Sequence, residues 1–447
     1  MSNSIITFLI TRIKKFRFLK NFFFYVKSLL FNLKSFIFRN YFYHLHKKKI
    51  KQLKNKKNIK VAFLVSRITQ WKYQSLYLAF KDIQKFNVSV YVLPEDTDDA
   101  SNQIFNKELN LTYDVLKSNG LNVIDAFNST NNINEIYKKI YQSDIVFFSK
   151  PTKWGSKFGL QNFKKSLTCY VPYSIHIDSV GINKNDFLQL GQLFYQCLWA
   201  HYLPIKLFFD SAKKFYPAKN CKLFGYPGLD PFIDNKAIII DKSIKIWSNT
   251  KKKIIWAPHH SIEEGPQWTF FSTFLLYSNK FLQLLERYND ELEICFKPHP
   301  VLKQKLYNHF DWGKSKTDQY YERWSNAKNG ILHESIYHDT FISADGMILD
   351  SVGFITEFSF IEKPICFLTR ADKGNYGKFL NKSGLVIFDT LQKASSWHEI
   401  INFIDQIRNN DLHKNKLKQQ QCFIDLEISK DIKSSDKIVD DINKALF

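Results

Sequence analysis

Residues 59–94, IKVAFLVSRITQWKYQSLYLAFKDIQKFNVSVYVLP, decide the fold of this chain. They begin with a short β-branched and apolar run, IKVAFLV, and end with another, VSVYVLP. A helix-like stretch, YQSLYLAFKDIQKF, separates the two runs. A strand, a helix and a strand in this order open an α/β sheet. Because each run is continuously apolar, we expect parallel strands with both faces covered.

The alternation continues through most of the chain, which at 447 residues is long enough for two domains with full cores. A polar, lysine-rich passage at 233–252 divides it into two series. We therefore predict two Rossmann-like domains facing a cleft, at 59–235 and 236–394. The helical, charged segment 395–447 is expected to brace the second domain. Further strand-like runs lie in DVLKSNGLNVIDAF, SDIVFFSKP, SLTCYVPYSI, CKLFGYPGLD, KKIIWAPHHS, LEICFKPHP, GMILDS and PICFLT, and a helix is predicted from Thr273 to about Tyr288.

The positive charge is concentrated at the N-terminus. Residues 1–60 hold sixteen Lys or Arg and no acidic residue, and without them the formal net charge falls from +22 to +6. The longest charge-free run there, the first eleven residues, is shorter than the ~20 apolar residues of a spanning helix. Polar pairs recur every seven residues, and the remaining positions are rich in Phe, Leu and Ile: the pairs are Lys20-Asn21, Lys27-Ser28 and Lys34-Ser35. This pattern predicts a basic amphipathic helical segment over 1–58.

Such a helix can bury its Phe-rich side in a bilayer interface while its lysines reach anionic headgroups. We therefore expect a peripheral protein on the cytoplasmic face of the membrane. The alternative is a helix packed on the globular body or on another subunit, with the basic run 47–57 as a solvated linker. Nucleic acid is not an expected partner, because no base-reading fold accompanies the charge. The six cysteines show no paired spacing, which is typical of reduced core cysteines in a cytosolic protein.

Three motifs follow strands of the second series, where open α/β sheets bind ligands. WAPHHS contains His259 and His260, and KPHP fixes His299 between two prolines that restrict the backbone on both sides. LDSVGFITE places Asp350, Ser351 and Gly353 in a turn before a helix that carries Glu357. A helix N-terminus suits a phosphate, and Gly353 lets a pyrophosphate approach the backbone. The alternatives are a plain N-cap for Asp350 and Ser351, and surface-loop positions for His259 and His260. No metal site is predicted, because the histidines lie on separate loops without metal-ligand spacing.

With these motifs the second half resembles the CDP-glycerol glycerophosphotransferase family, GT-B-fold enzymes that build teichoic-acid-like polymers and related bacterial surface glycans. The resemblance rests on WAPHHS, CFKPHP and YHDTFISADGMILDSVGFITEFSFIEKPICFL. SDIVFFSKP, CYVPYSI and FGYPGLD are similar to phrases of family members found with capsule genes. Coverage is roughly 60–390. The spacing from Asp350 to Glu357 also resembles that of nucleotide-sugar 2-epimerases, another GT-B-like family.

The resemblance implies roles for single residues. His299, with Lys297 beside it, corresponds to the contact with the donor diphosphate. Asp350, Ser351 and Gly353 fall at the turn that cups this diphosphate, Glu357 takes the ribose-binding position, and His259 and His260 border the donor. The HGT histidine that serves the family as general base is absent, and His176 or Asp178 in YVPYSIHID stands in its approximate place.

The implied function is transfer of a polyol phosphate from a CDP-activated donor to a membrane-linked glycan, without metal or cofactor, in capsule or teichoic-acid-like polymer synthesis. The alternatives are a GT-B glycosyltransferase that uses a nucleotide sugar for capsule or lipopolysaccharide assembly, and a non-catalytic membrane scaffold.

Overall fold

Two parallel sheets form the body of the protein in the computed structural model. The structure describes residues 3–94, 103–128, 133–150, 158–178, 192–215, 220–245, 247–248, 250–263, 272–370, 372, 374–411 and 415–447. We call the first sheet with the helices packed on it the first lobe, and the second sheet with its helices the second lobe.

The first sheet has seven strands in the order β3-β2-β1-β4-β5-β6-β7, and every pair is parallel. The strands are β1 (Ile59–Val65), β2 (Phe86–Val92), β3 (Val123–Asp125), β4 (Ile145–Phe148), β5 (Leu167–Tyr170), β6 (Ala200–Leu203) and β7 (Cys221–Leu223). The helices of this half are α2 (Gln74–Lys81), α3 (Gln103–Ser118), α4 (Ile133–Tyr141), α5 (Gln192–Cys197), α6 (Lys206–Phe215) and α7 (Asp230–Ile233).

The second sheet has six parallel strands in the order β10-β9-β8-β11-β12-β13. They are β8 (Lys252–Ala257), β9 (Leu292–Phe296), β10 (Gly330–Leu332), β11 (Gly346–Leu349), β12 (Ile365–Leu368) and β13 (Gln392–Ala394). The accompanying helices are α8 (Phe274–Arg287), α9 (Leu302–Asn308), α10 (Gly313–Asn326), α11 (His338–Ser343), α12 (Ile355–Phe360), α13 (Lys382–Phe388) and α14 (Trp397–Arg408). The predicted α/β class with two parallel sheets is confirmed, and the boundaries at 235 and 394 stay predictions.

Aromatic side chains fill the cores on both sheets. The Phe63 and Phe147 rings of neighbouring strands stack with centroids 4.8 Å apart, and Trp256 of β8 stacks on Phe281 of α8 at 4.0 Å. The strands β1, β4 and β8 are buried on both faces over most of their length, which is why their sequences are nearly continuously apolar. All six cysteines are buried in these cores.

The N-terminal segment forms one helix, α1 (Asn3–Lys54), that docks on the first lobe through its C-terminal half. Phe42, His46 and Leu53 are buried there, and the ammonium groups of Lys49 and Lys56 lie 2.7 and 2.6 Å from the carboxylate of Asp144. The basic run 47–57 is therefore a docked part of the body and not the solvated linker of the alternative interpretation. None of the described helices is long and apolar enough to cross a membrane.

The C-terminal segment is shared between the lobes. Helix α14 packs on the second sheet through Ile400, Phe403 and Ile404, as expected. After α15 (Lys416–Asp425), the last helix, α16 (Ser434–Leu446), buries its apolar face in the core of the first lobe instead. The expectation that all of 395–447 braces the second domain is therefore wrong for α16, because its apolar stripe completes the cover of the first sheet.

Candidate active site

Three histidines meet at the carboxyl ends of two neighbouring strands. His259 and His260 follow β8, and His299 follows β9, which pairs with β8 in parallel. The His299 N–H donates to the Pro258 carbonyl oxygen at 3.1 Å and thereby joins the two loops. The ring centroids of His260 and His299 are 4.2 Å apart, and those of His259 lie 4.1 Å from His260 and 5.1 Å from His299. We call these residues the three-histidine cluster.

Burial keeps the three-histidine cluster neutral. It lowers the pKa of His259 to about 2, of His260 to about 4 and of His299 to about 3, and in each case neighbouring positive charges add to the effect. A neutral imidazole offers one donor and one acceptor nitrogen. The Nδ1 atom of His299 accepts from the Val301 N–H at 3.2 Å, whereas Nδ1 of His260 is buried with no hydrogen-bond partner among the described residues. A buried nitrogen of this kind is a candidate for contact with a ligand.

The three-histidine cluster is also the one set of side chains in the described part of the chain that could hold a metal ion, since its ligand atoms lie within 4.8 Å of one another. Separation in sequence therefore concealed a spatial cluster. Zinc–nitrogen bonds of about 2.0–2.1 Å would require the three nitrogens to move closer together. Lys305 lowers the pKa of all three histidines, and Arg67 that of His299, so the local field is positive. A positive field favours an anion over a metal cation.

Asp350 holds the loops of the site together from a fully buried position. Its carboxylate, fully buried, accepts the His259 N–H at 2.6 Å, and the N–H and hydroxyl of Thr273 at 2.5 and 2.8 Å. Burial raises the pKa of Asp350 to about 6, and the hydrogen bonds oppose this effect. Asp350 does not cap the following helix, so the alternative interpretation is wrong for this residue, and its bonds position the His259 loop against the start of α8. Its predicted place at the donor diphosphate stays a prediction.

Ser351 and Gly353 form the predicted turn before α12. The turn ends at Phe354, the N-cap of α12, whose side chain makes no capping hydrogen bond. A Cβ atom added to Gly353 would meet only the Ser351 hydroxyl, at 3.8 Å, so the space in front of this glycine is open. The approach of a diphosphate to this turn stays a prediction.

Glu357 lies on α12 in a buried polar chain that the sequence did not indicate. The ammonium group of Lys72, which follows β1 in the first lobe, donates to the Tyr337 hydroxyl at 2.7 Å, and that hydroxyl donates to Glu357 Oε1 at 3.2 Å. Burial raises the pKa of Glu357, and Lys72 opposes the rise. Burial also lowers the pKa of Lys72 to about 7, opposed by Glu357. The one available signal was a lysine in the loop that joins the carboxyl end of β1 to α2.

Lys297 lies beneath the site and not at its surface. Burial lowers the pKa of Lys297 to about 8, and its ammonium group donates to the Ser335 carbonyl oxygen at 2.8 Å. It also lies 5.3 Å from the centre of the Tyr337 ring. Like Lys72, this buried cation contributes positive charge beneath the site, and its contact with a donor stays a prediction.

His176 and Asp178 follow β5 in the first lobe. They contact no member of the three-histidine cluster among the described residues, but Asn381 of the second lobe hydrogen-bonds to the backbone carbonyls of both. A second link runs through Tyr226, whose hydroxyl donates to the Tyr173 carbonyl oxygen at 2.5 Å and lowers the pKa of Glu357. The structure thus ties both predicted base candidates to the second lobe.

Comparisons with known proteins identify the fold. No protein-family model and no curated protein sequence matches the chain. Among solved structures, the wall teichoic acid polymerase TagF soaked with CDPG matches at 12% identity and a TM-score of 0.53, covering 94% of this chain and 97% of that one.

Two UDP-GlcNAc 2-epimerase structures match comparably. The Neisseria meningitidis enzyme bound to UDP-GlcNAc has 13% identity and a TM-score of 0.50, and covers 87% of this chain and 100% of that one. The putative enzyme from Listeria monocytogenes has 13% identity and a TM-score of 0.51, and the match covers 86% of this chain and 95% of that one. The predicted resemblance is confirmed at the level of the fold: this is a two-sheet α/β chain of the GT-B-like fold, similar to TagF and to the UDP-GlcNAc 2-epimerases.

Proposed function

We propose that this protein transfers a polyol phosphate, of the glycerol phosphate type, from a CDP-activated donor to a membrane-linked glycan in the synthesis of a capsule or teichoic-acid-like polymer. The observation that carries the proposal is the three-histidine cluster at the ends of β8 and β9. The open turn at Gly353 and the buried Glu357 support it, since they supply space for a diphosphate and a carboxylate for ribose hydroxyls. The fold shared with TagF, which was solved with CDPG, favours a CDP-linked donor.

The chemistry is a displacement at phosphorus. An acceptor hydroxyl attacks the phosphorus that carries the polyol, and a new O–P bond forms while the bond from that phosphorus to the bridging oxygen breaks. CMP leaves with the bonding electrons, and the hydroxyl proton passes to a base in the first lobe. Imidazole N–H groups of the three-histidine cluster stabilise the charge that develops on the leaving phosphate. Exclusion of water from the cleft protects the donor from hydrolysis.

A nucleotide-sugar donor is the second candidate, favoured by the fold shared with an epimerase bound to UDP-GlcNAc. In that case the acceptor oxygen attacks the anomeric carbon, and a nucleoside diphosphate leaves. The two candidates therefore differ in the released nucleotide, which product analysis identifies.

The test is a thermal-shift screen of the full-length protein against CDP-glycerol, CDP-ribitol, CMP and common UDP-, GDP- and CMP-sugars, with EDTA in one arm and ZnCl₂ in another. A ligand that binds only the folded state raises Tm. We expect shifts with the CDP-polyols and CMP that EDTA leaves unchanged and that His299→Ala and Glu357→Gln abolish. His398→Ala, an exposed histidine on α14, is the matched control.

Each other result has a definite meaning. A shift confined to UDP- or GDP-sugars would replace the polyol phosphate by a sugar. A shift that requires ZnCl₂ would make the three-histidine cluster a metal site. No shift with any donor would favour the non-catalytic scaffold.

The membrane is the partner proposed for residues 22–36 of α1. Its side chains at 22, 25, 29, 33 and 36 are apolar and between 54% and 67% exposed, and their spacing places them on one stripe of the helix. The absence of acidic residues before Asp82 makes the surrounding surface basic, which suits an anionic bilayer and disfavours contact with a second copy of the same helix. Peripheral attachment on the cytoplasmic face would bring the enzyme to a lipid-linked acceptor.

Vesicle flotation tests this attachment. Because Phe42 and Leu53 are buried in the first lobe, deletion of the whole segment would open the core, and substitutions on the exposed stripe are the better probe. We expect the full-length protein to float with vesicles that contain phosphatidylglycerol and not with pure phosphatidylcholine, and Leu29→Glu/Leu33→Glu/Phe36→Glu to remain in solution. Leu417→Glu, at an exposed leucine on α15, is the control. If the triple variant floated as well as the wild type, this stripe would not be the membrane-binding surface. If the wild type were a dimer and the triple variant a monomer, the partner of the stripe would be a second copy of the chain.

A further inference from the structure

A serine, a histidine and an aspartate at alternate positions after β5 form a polar row. The Ser174 hydroxyl lies 3.3 Å from Nε2 of His176, and Nδ1 of the same ring lies 3.8 Å from the carboxylate of Asp178. The imidazole thus has a carboxylate on one side and a hydroxyl on the other. This order of groups orients a histidine base in nucleophilic and acid–base sites.

Asn381 of the second lobe hydrogen-bonds to the backbone carbonyl groups of this row. Its side-chain amide donates to the carbonyl oxygens of His176 at 2.9 Å and Asp178 at 3.1 Å, and its own N–H donates to the Ile177 carbonyl oxygen at 2.9 Å. The Asn381 side-chain oxygen accepts the Gly384 N–H at 2.9 Å, so the same residue caps the start of α13. Asp178 also bridges to Leu380 in an antiparallel manner.

Close packing fixes this contact further. A Cβ atom added to Gly384 would lie 2.2 Å from the Ile177 carbonyl oxygen, so only glycine allows the two backbones to approach this closely. Asn381 itself is buried. On the side of the first-lobe row the contact therefore uses backbone carbonyl groups, and it tolerates little displacement.

We propose that His176 is the base for the acceptor hydroxyl, that Asp178 positions its ring, and that Asn381 sets the base across the cleft from the donor site. This inference rests on the proposed function. The acceptor hydroxyl takes the place of the Ser174 hydroxyl at Nε2, gives its proton to that nitrogen, and attacks the donor as CMP leaves. The imidazolium so formed is stabilised by the Asp178 carboxylate.

The coupling between lobes follows from Asn381. Asn381 hydrogen-bonds to the His176 backbone and also caps α13. Movement of the first lobe away from the second therefore withdraws the base from the donor. Base and donor site are then assembled only while the lobes are in contact, which limits hydrolysis of a bound donor.

The first experiment needs no turnover. Diethylpyrocarbonate modification of His176, followed by mass spectrometry, compares the full-length wild type with Asn381→Asp. Aspartate keeps the cap on α13 but cannot donate to the two carbonyl groups. We expect His176 to be modified severalfold faster in Asn381→Asp, with His398 on α14 unchanged as the internal control. Equal rates for His176 would overturn the role of Asn381.

The second experiment separates catalysis from donor binding. We expect His176→Ala to lower kcat by about 100-fold while the donor KM and the donor-induced Tm shift stay unchanged. Added imidazole should restore part of the lost rate in His176→Ala. Asp178→Asn should lower kcat less than His176→Ala does, and Asp178→Glu should recover part of that loss.

Other outcomes count against the proposal in different ways. Loss of donor binding in His176→Ala would make this histidine a donor ligand and overturn its role as base. Full kcat in the same variant would also overturn it. A wild-type protein that binds no donor would overturn the proposed function and the base with it, whereas the modification rates would still decide the role of Asn381.

Discussion

Asp350 is a buried carboxylate that positions the loops of the site through hydrogen bonds to the backbone N–H groups of His259 and Thr273. Its position directly after β11 is typical of residues that contact a ligand, and the sequence could not distinguish that role from the one observed. The distinction depends on Ser272 and Thr273, which lie far away in the chain and reach the carboxylate only in the folded protein. The same limit applies to Lys72, whose burial against Tyr337 is a long-range event.

The pH dependence of stability follows from the raised pKa of Asp350. Relative to an unfolded value of about 3.9, a folded pKa of about 6 means that folding favours the protonated form. The stabilisation is therefore complete below the unfolded pKa and is lost as the pH rises through the folded pKa. We expect the difference in unfolding free energy between wild type and Asp350→Asn to fall by about 2 kcal/mol from pH 4 to pH 7.

Urea unfolding at several pH values measures this difference. Asp425→Asn, on the exposed face of α15, controls for the removal of a carboxylate. A difference between wild type and Asp350→Asn that does not change over this range would mean that the carboxyl group titrates alike in both states, contrary to its burial.

At the scale of elements, residues 22–36 of α1 and its C-terminal end face different surroundings. The sequence predicted one amphipathic helix, and the apolar side chains at 22, 25, 29, 33 and 36 remain exposed on one stripe of it. Docking of the C-terminal half depends on Asp144, directly before β4, which accepts from Lys49, Lys56 and the Lys60 N–H. No local pattern connects a basic run with an aspartate about 90 residues later.

The ion pairs of Asp144 provide the prediction for α1. Burial acts to raise the pKa of this carboxyl, but hydrogen bonds from the two lysines and the Lys60 N–H outweigh it and leave the pKa below its usual value. We expect Asp144→Asn to cost about 2 kcal/mol of unfolding free energy at neutral pH. The stabilisation is present above the unfolded pKa and is lost as the pH falls through the folded one, opposite to Asp350.

Hydrogen exchange resolves where this loss occurs. Amides of residues 45–56 should exchange faster in Asp144→Asn, while those of α14 keep their wild-type rates. Unchanged protection of residues 45–56 would show that apolar contacts of Phe42 and Leu53 alone hold the helix.

At the scale of the whole molecule, the sequence predicted the alternation of strands and helices well. Long apolar runs such as IKVAFLV became strands of the expected sheets. Because β8 and β9 are parallel neighbours, their carboxyl ends lie at the same edge of the sheet and bring His259 and His299 together. The short strands β6, β10 and β13 were not predicted, because neither a continuous apolar run nor a strand-end motif marks AHYL, GIL or QKA. The hydrogen bond between Asn381 and the His176 backbone joins residues about 200 positions apart, so no local sequence pattern could predict it.

The last helix, α16, also links the two lobes, because it follows the second lobe in the chain but packs on the first. The chain leaves the second lobe after α15 and returns to the first, where Asp230 accepts the N–H groups of Ser434 and Ser435 at 2.8 and 2.9 Å. Ile438 and Ile442 of α16 are fully buried in the first-lobe core. The stability of the first lobe therefore depends on the end of the chain.

A pair of matched substitutions tests this dependence. Ile442→Ala and Ile404→Ala each remove a fully buried side chain, from α16 and α14 respectively, and each should cost about 2–5 kcal/mol. We expect Ile442→Ala to accelerate hydrogen exchange in β1 and β2 and to leave β8 and β9 protected, and Ile404→Ala to do the reverse, because each helix covers a different sheet. If both variants loosened the same sheet, α16 would pack on the second lobe in solution, and the crossing of the C-terminal segment between the lobes would be wrong.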